Sequence, residues 1–304
     1  MAVNLSSIKD LLLPGLRGIE GKYEMIPSQY DKVFRKHDSK LALERTAEMR
    51  YLSLAQLKTE GGQTAFDNGA GERYVYNQEH RELGLGYAIT RKAIDDNVYK
   101  TQFHPSNLGL IESFQQTKEI YGANILNSAQ TYDSTIGGDG QALCSTAHPI
   151  DGGTVANTPV TQVGLNESSL LNAMISIRTN FRDQAGLKVF ARGRKLVVPP
   201  QQEPVAIRLT KTELRPGTAD NDVNAISSTA GGLPEGYIVL DFLTSSFFWF
   251  LLTNIDGLAY MERVRFETDM QVDFITDNLL VKGYERYSFN YYNWRALWGS
   301  FPTA

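Results

Sequence analysis

Apolar and polar residues alternate with a period of two from Tyr74 to Tyr76 and again through Leu83, Leu85, Tyr87 and Ile89, which predicts strand. Upstream, residues 50–59 carry Leu52 and Leu54 on one face and predict the opposing arm. Between them lie residues 60–71, a polar tip whose glycines allow turns at no steric cost. The pattern describes a long β-ribbon with little of its own to pack against. An isolated two-stranded ribbon is marginal in water, so this one needs a support. The support is either its own domain or another copy of the chain.

The period then becomes helical. Residues 90–97 predict a short helix. A long one runs from an N-cap at Ser106 or Asn107 to about Gln130, with Leu108, Ile111, Phe114, Lys118, Tyr121, Ile125 and Ser128 at helical spacing. Lys118 interrupts that stripe, and Gly122 lowers helix propensity by about 1 kcal/mol. A stripe of this kind is core packing. A second helix starts after Asn166, places Leu170, Met174, Ile177 and Phe181 on one face and stops at Gly186. Residues 195–200 read as a short buried strand ended by proline. Residues 218–236 read as a polar loop, and the segments 237–240, 247–252, 264–274 and 279–292 as strands, the last two joined by a turn at Asp277 and Asn278. The first 45 residues, broken by Pro14, Gly15, Gly18, Gly21 and Pro27, predict an extended arm with one short helix near its start. The class is α+β, with antiparallel sheets and two main helices.

At 304 residues the chain holds one large domain or two ordinary ones. Its formal net charge of −4, without a basic tail or arginine-rich run, gives no sign of a tight grip on nucleic acid. A single cysteine, Cys144, excludes an intrachain disulfide and a cysteine-based zinc cage. The longest apolar run, residues 247–252, is far short of the roughly 18 residues a membrane helix needs. No secretory signal pattern is visible at the N-terminus.

Candidate chemistry is sparse. Gly84-Leu-Gly86 begins like a dinucleotide fingerprint, but Ile89 occupies the third glycine position and the segment reads as strand. His37, His80, His104 and His148 show no metal-ligand spacing. Cys144 and His148 lie four apart, the spacing of a conceivable nucleophile and base, with no evident orienting acid. Asp95 and Asp96 suit a solvated helix face. Arg192, Arg194 and Lys195, with Arg178, Arg182 and Lys188, form the densest basic group and suit a solvated strand edge. No cofactor is implied.

The order of segments does carry a resemblance. It consists of an arm, a glycine-tipped ribbon, residues 84–91, Asp95-Asp96, a long helix, Gly138-Asp-Gly-Gln-Ala-Leu-Cys-Ser-Thr-Ala-His-Pro149, Gly152-Gly153, a second helix and Leu196-Val-Val-Pro-Pro200. This resembles the major capsid proteins of tailed bacteriophages, above all the Mu-like major head subunit group. The resemblance implies the Hong Kong 97-like capsid fold and a structural protein without enzymatic activity. It implies an N-terminal arm (1–45), an extended loop lying on a neighbouring subunit (46–91), a peripheral domain (92–144 and 256–292) built on a spine helix at about 106–130, and an axial domain (145–255 and 293–304). Leu52, Leu54, Lys58, Phe66, Tyr74 and Tyr76 are then the contacts between subunits. Leu108, Ile111, Phe114, Tyr121 and Ile125 are the packing face of the spine helix.

The implied product is an icosahedral shell of pentamers and hexamers, built in the host cytoplasm around double-stranded DNA that it touches weakly. Portal, scaffold and decoration proteins are the implied partners. Some relatives join subunits by an isopeptide bond; Lys58 lies in the right loop, with Asn290 and Asn293 among the possible acceptors, but no motif demands the bond. A separate scaffold, or a chain already mature, is expected from the early start of the arm. Three alternatives remain: an encapsulin-like cellular nanocompartment shell of related fold, an enzyme built on Cys144 and His148, and a β-rich tail or adhesin component.

Overall fold

The computed structural model describes residue 23 and residues 27–96, 99–212, 224, 226–227 and 232–303. The short helix expected near the start of the arm lies outside the described residues, as does most of the polar loop expected at 218–236.

The strands are β1 (Arg35–Asp38), β2 (Leu43–Arg50), β3 (Gly71–Glu79), β4 (Arg81–Ile89), β5 (His148–Ile150), β6 (Gly153–Val155), β7 (Gly193–Val198), β8 (Tyr237–Val239), β9 (Trp249–Thr253), β10 (Leu258–Val272), β11 (Leu279–Tyr291) and β12 (Leu297–Ser300). The helices are α1 (Arg91–Asp95), α2 (Tyr99–Asn127), α3 (Glu167–Asn180) and α4 (Glu203–Lys211). One four-stranded sheet has the order β1-β10-β11-β4 and a second the order β12-β9-β7-β8. Two-stranded pairs β2-β3 and β5-β6 complete the pattern.

The long strands β10 and β11 link two regions. At one end Leu258 lies opposite Tyr291, and at the other Val272 lies opposite Leu279, across the turn in which Asp277 takes a positive φ of 51°. The main core sits at the first end, where Leu196, Val197, Trp249, Phe250, Leu251, Leu170, Ile177, Trp294 and Leu297 pack together. Two smaller clusters lie further along. One joins Leu110, Ile111 and Phe114 of α2 to Phe266, and the other joins Ile89, Ile94 and Phe103 to Met270, Leu279 and Val281.

α3 begins where the sequence places it. The Asn166 side chain accepts from Ser169 N–H at 2.8 Å, and Ser169 Oγ accepts from Asn166 N–H at 2.9 Å, a reciprocal cap. Leu170, Met174, Ile177 and Phe181 are buried as expected. The helix stops at Asn180, however, and Gly186 instead turns a loop bonded through Asp183.

α2 departs further from expectation. It begins at Tyr99 and carries Pro105 within it, so neither Ser106 nor Asn107 is a cap. Asn107 is buried against β4, accepting from the Tyr87 hydroxyl at 2.5 Å. The buried stripe runs through Asn107, Leu110, Ile111, Phe114, Lys118, Ala123, Leu126 and Ala129. Leu108, Tyr121 and Ile125 are half-buried flanks of it. Gly122 is buried on the same helix. A Cβ there would come within 3.2 Å of Tyr30 Cβ and 3.4 Å of Phe289, so the missing side chain lets the segment at Tyr30 and β11 close onto the helix.

Two pairings are parallel, β1 with β10 and β7 with β8, against the expectation of antiparallel sheets. Both follow long connections, which parallel strands need. The second connection contains α4, a helix not expected from the sequence. Its signal is Pro204 in the first turn, where a missing N–H costs nothing. The prolines at 199 and 200 end β7 and also lead into this helix.

Candidate functional site

The expected ribbon divides in two. β2 and β3 pair with one another from Leu43–Glu79 to Arg50–Gly71. β4 belongs instead to the chain's own sheet, paired along its length with β11. Of the segment expected to form the first arm, residues 50–59, only Arg50 lies in a strand, and residues 51–70 project as one loop. Its apolar side chains face outward. Leu54 is 75% exposed and Phe66 87%, with Tyr51, Leu52 and Leu57 likewise bare, and Lys58 is exposed beside them. Gly61, at φ 74°, turns the tip.

Below the loop, the ribbon is fastened to the body. Tyr76, expected to contact another subunit, is only 1% exposed. Its ring lies on Gly138 and meets Tyr291 edge-on at 5.9 Å between centroids. The alternation at Tyr74 and Tyr76 was real, but the face holding Tyr76 points into the chain's own core, which corrects that assignment. Tyr74 packs half-buried on the same core. Gly138 N–H donates to Val75 O at 2.9 Å, and Asn77 N–H to Ile136 O at 2.7 Å, so the glycine-rich segment 136–138 extends the ribbon's pairing. Glu48 accepts from Arg295 at 2.5 Å and from Gln184 at 2.8 Å. Arg50 and Arg73 both donate to Asp151, in the turn between β5 and β6, and hold its carboxyl below the usual range.

Further apolar side chains are bare elsewhere. Phe274 and Ile275 cap the β10–β11 turn, and Val160 and Phe190 stand on loops beside α3. Sequence reasoning passed over Phe274 and Ile275; an apolar pair between Asp273 and Asp277 in a turn is the signal that could have found them.

The enzyme-like pair does not assemble. Cys144 is buried, and burial pushes its thiol up, away from the reactive thiolate. His148 turns to other partners. Its Nδ1 lies 2.6 Å from Asp139 Oδ2, its Nε2 lies 3.1 Å from Asn157 Oδ1, and its ring stacks on Trp294 at 4.1 Å. Asn157 Nδ2 in turn donates to the carbonyls of Leu143, Trp294 and Leu297 at 2.7, 3.2 and 3.1 Å. The cluster ties the chain's end to the segment after α2.

The remaining candidates also resolve into internal contacts. Gly84 and Gly86 lie within β4 opposite Tyr284 and Lys282. His80 is buried between Ser39 and Ser288. The His104 side chain lies outside the described residues, and no group of metal-ligating side chains occurs among the described ones. Asp95 pairs with Arg91 one turn away, at 3.1 Å. Arg194 and Lys195 pair with Glu235. Asn290 is buried in β11 and the Asn293 side chain caps the turn at Arg295, so neither faces Lys58 within the chain. No helix among the described residues is long and apolar enough to cross a membrane.

The loop of residues 51–70 thus exposes bare leucines and a phenylalanine together, the kind of apolar surface that marks protein contacts. A model of the phage capsid protein family matches residues 80–299. The chain belongs to that family. This capsid protein is therefore a structural subunit and not an enzyme. No curated protein sequence matches it.

Solved structures share its fold. The capsid of the native GTA particle matches with a TM-score of 0.54 at 9% identity, over 90% of this chain and 89% of that one. The virus-like particle from Pyrococcus furiosus matches with a TM-score of 0.53 at 10% identity, over 95% of this chain and 98% of that one. The Bacteriophage JBD30 capsid matches with a TM-score of 0.49 at 12% identity, over 90% of this chain, which spans 65% of that one. The mixed helix-and-sheet fold of this capsid protein is thus the one seen in the GTA capsid and the virus-like particle.

Proposed function

We propose that this capsid protein is the major head subunit of a tailed phage, assembling as pentamers and hexamers into an icosahedral shell around double-stranded DNA. The observation that carries the reading is the loop of residues 51–70, which exposes Leu52, Leu54, Leu57 and Phe66 while the rest of its ribbon is fastened to the body. Large exposed apolar groups on a fixed base are stable in water only at a cost that a partner surface removes.

In the Hong Kong 97-like arrangement, the extended loop expected at 46–91 is this loop with the strands at its root, residues 46–79, while β4 pairs with β11 in the body. The extended loop lies on a neighbouring copy through Leu52, Leu54, Lys58 and Phe66, with Tyr74 at its root. Residues 1–45 are the arm. α2 is the spine of a peripheral domain made of residues 92–144 and 256–292. Leu108, Ile111, Phe114, Tyr121 and Ile125 hold it to the sheet. Residues 145–255 and 293–304 are the axial domain. Portal, scaffold and decoration proteins join the shell, which is built in the host cytoplasm.

Negative-stain electron microscopy with light scattering on the purified chain tests the reading. Closed shells, or rings of five and six, are expected, with neighbouring phage genes co-expressed if a scaffold is needed. A monomer or dimer under both conditions would overturn it. A shell that forms without phage proteins and retains cargo enzymes would instead favour the encapsulin-like alternative, whose fold-level support is the virus-like particle. Deleting residues 60–71 should leave a folded subunit that assembles badly; loss of folding would show that the tip serves its own chain.

A further inference from the structure

The loop of residues 51–70 leaves the body through one side chain. Arg50 is the last residue of β2, and its guanidinium lies between two carboxylates. Its Nε donates to Asp151 Oδ2 of the body at 2.5 Å. Its Nη1 donates to Tyr51 O at 3.1 Å and reaches Asp67 Oδ1 at 3.4 Å. Asp67 in turn accepts from Ser53 N–H at 2.7 Å and from Gly69 N–H at 2.8 Å, which ties the outgoing and returning limbs together. Arg73, on the opposite strand, holds the second oxygen of Asp151.

The fit around Arg50 is close. A Cβ on Gly69 would overlap the Arg50 guanidinium, so a side chain there would push that group aside from its place between the two acids. Asp151 itself is presented by a tight turn, with Gly152 at a φ of 82°. The two acids and two arginines form a closed set in which each carboxylate oxygen toward the body has its own arginine. Planar, forked guanidinium groups suit this geometry, because each bond fixes direction as well as distance. Beyond this set, the hydrogen bonds of the loop stay within the loop among the described residues.

We infer that Asp151, Arg50, Asp67 and Arg73 form an orienting joint that sets the direction in which the loop leaves the subunit, and so the angle at which a neighbouring copy meets it. Asp151 is a positioning residue that acts through Arg50. This rests on the loop being the contact between copies. The loop's apolar side chains supply the attraction, and the joint supplies the geometry. A loop free to swing would still stick to a neighbour, but at varied angles.

The test uses the full chain, kept dilute so that it stays unassembled. Cys144 is buried and is the chain's single cysteine, so Leu57→Cys accepts a maleimide dye on the loop alone. In this background Asp151→Asn and Gly69→Ala should both lower the dye's anisotropy, while far-ultraviolet circular dichroism stays unchanged. Asp151→Glu should restore much of it. Raising the salt to about 1 M, where charges are screened beyond about 3 Å, should reproduce part of the fall in the parent. After assembly, the Asn and Ala variants should give shells of mixed diameter and need a several-fold higher subunit concentration.

Unchanged anisotropy in both variants would overturn the inference, and Gly69→Ala keeps the test open if Asp151→Asn fails to fold, because Gly69 lies outside the body. A Leu54→Asp variant separates this from the parent reading. Normal shells from Leu54→Asp would sink the contact role of the loop, and the anisotropy result would still stand or fall by itself.

Discussion

Lys118 lies in the middle of the apolar stripe of α2, with its ammonium 2.7 Å from Glu285 Oε2 and both side chains buried. Tyr23, Tyr260 and Tyr287 present their rings to it at 4.8, 5.6 and 5.0 Å. The Tyr23 hydroxyl donates to the same Glu285 oxygen at 2.9 Å, and burial followed by the charge of Glu285 pushes that hydroxyl above the usual tyrosine range. Burial also pushes the Glu285 carboxyl up, against the pull of Lys118. The lysine that interrupts the stripe is thus a buried partner rather than a break in it. Removing one member of such a pair strands the other charge. Lys118→Met should therefore cost about 3–5 kcal/mol in urea unfolding. Lys118→Met with Glu285→Leu should recover most of that loss, since a buried pair and an apolar replacement are close in free energy. A single variant as stable as the parent would show that the pair is not desolvated.

At the scale of elements, α2 joins the sheet to the start of the chain. Glu119 on this helix accepts from the backbone N–H groups of Gln29 and Tyr30 at 2.6 and 3.1 Å, and burial, the larger effect, raises its carboxyl despite those bonds. Tyr30 then stacks toward Tyr260 and Phe289 over the gap left by Gly122. Two substitutions separate the faces of the helix. Ile111→Asp puts an unpaired charge between Phe114 and the sheet and should unfold the subunit, since such a charge costs several kcal/mol. Normal expression and assembly would show that face to be open. Gly122→Leu should leave the sheet intact and displace the segment around Tyr30, seen as new protease cleavage before β1. An unchanged digestion pattern would mean that the neighbours give way at no cost.

For the molecule as a whole, charge and shape act in the same direction. A net charge of −4 on a chain of 304 residues gives no overall attraction to nucleic acid, in keeping with the proposed weak contact with DNA. Its basic side chains are spent in part on internal pairs, such as Arg194 and Lys195 with Glu235 and Arg295 with Glu48. DNA added to empty shells should bind weakly and release as salt rises. Nanomolar binding at physiological salt would contradict the proposed weak contact with DNA.

The chain's own pattern was enough for most of the long strands, for α3 and for the family, but not for β1 or α4, and it placed a strand at 51–59 where none forms. Period two marked β3 and β4, β-prone composition without clear alternation marked most of β10 and β11, helical spacing with an Asn166 cap marked α3, and the glycine-rich stretch from 137 to 140 with its neighbours carried the resemblance. These are local signals, set by backbone sterics and by the side chains within a few residues. What it left open was which face meets which partner. Tyr74 and Tyr76 looked alike in sequence, yet Tyr76 is buried and Leu54 is bare, because segment 136–138 pairs with one end of the ribbon and nothing in the chain pairs with the other among the described residues. The rotation of the α2 stripe, the pairing of Lys118 with a glutamate 167 residues away and the gathering of Arg50, Arg73 and Asp151 are of the same kind. Each depends on groups distant in the chain that meet only once the long strands β10 and β11 have brought the two ends together. Periodicity reports that a face will be covered; packing alone settles what covers it.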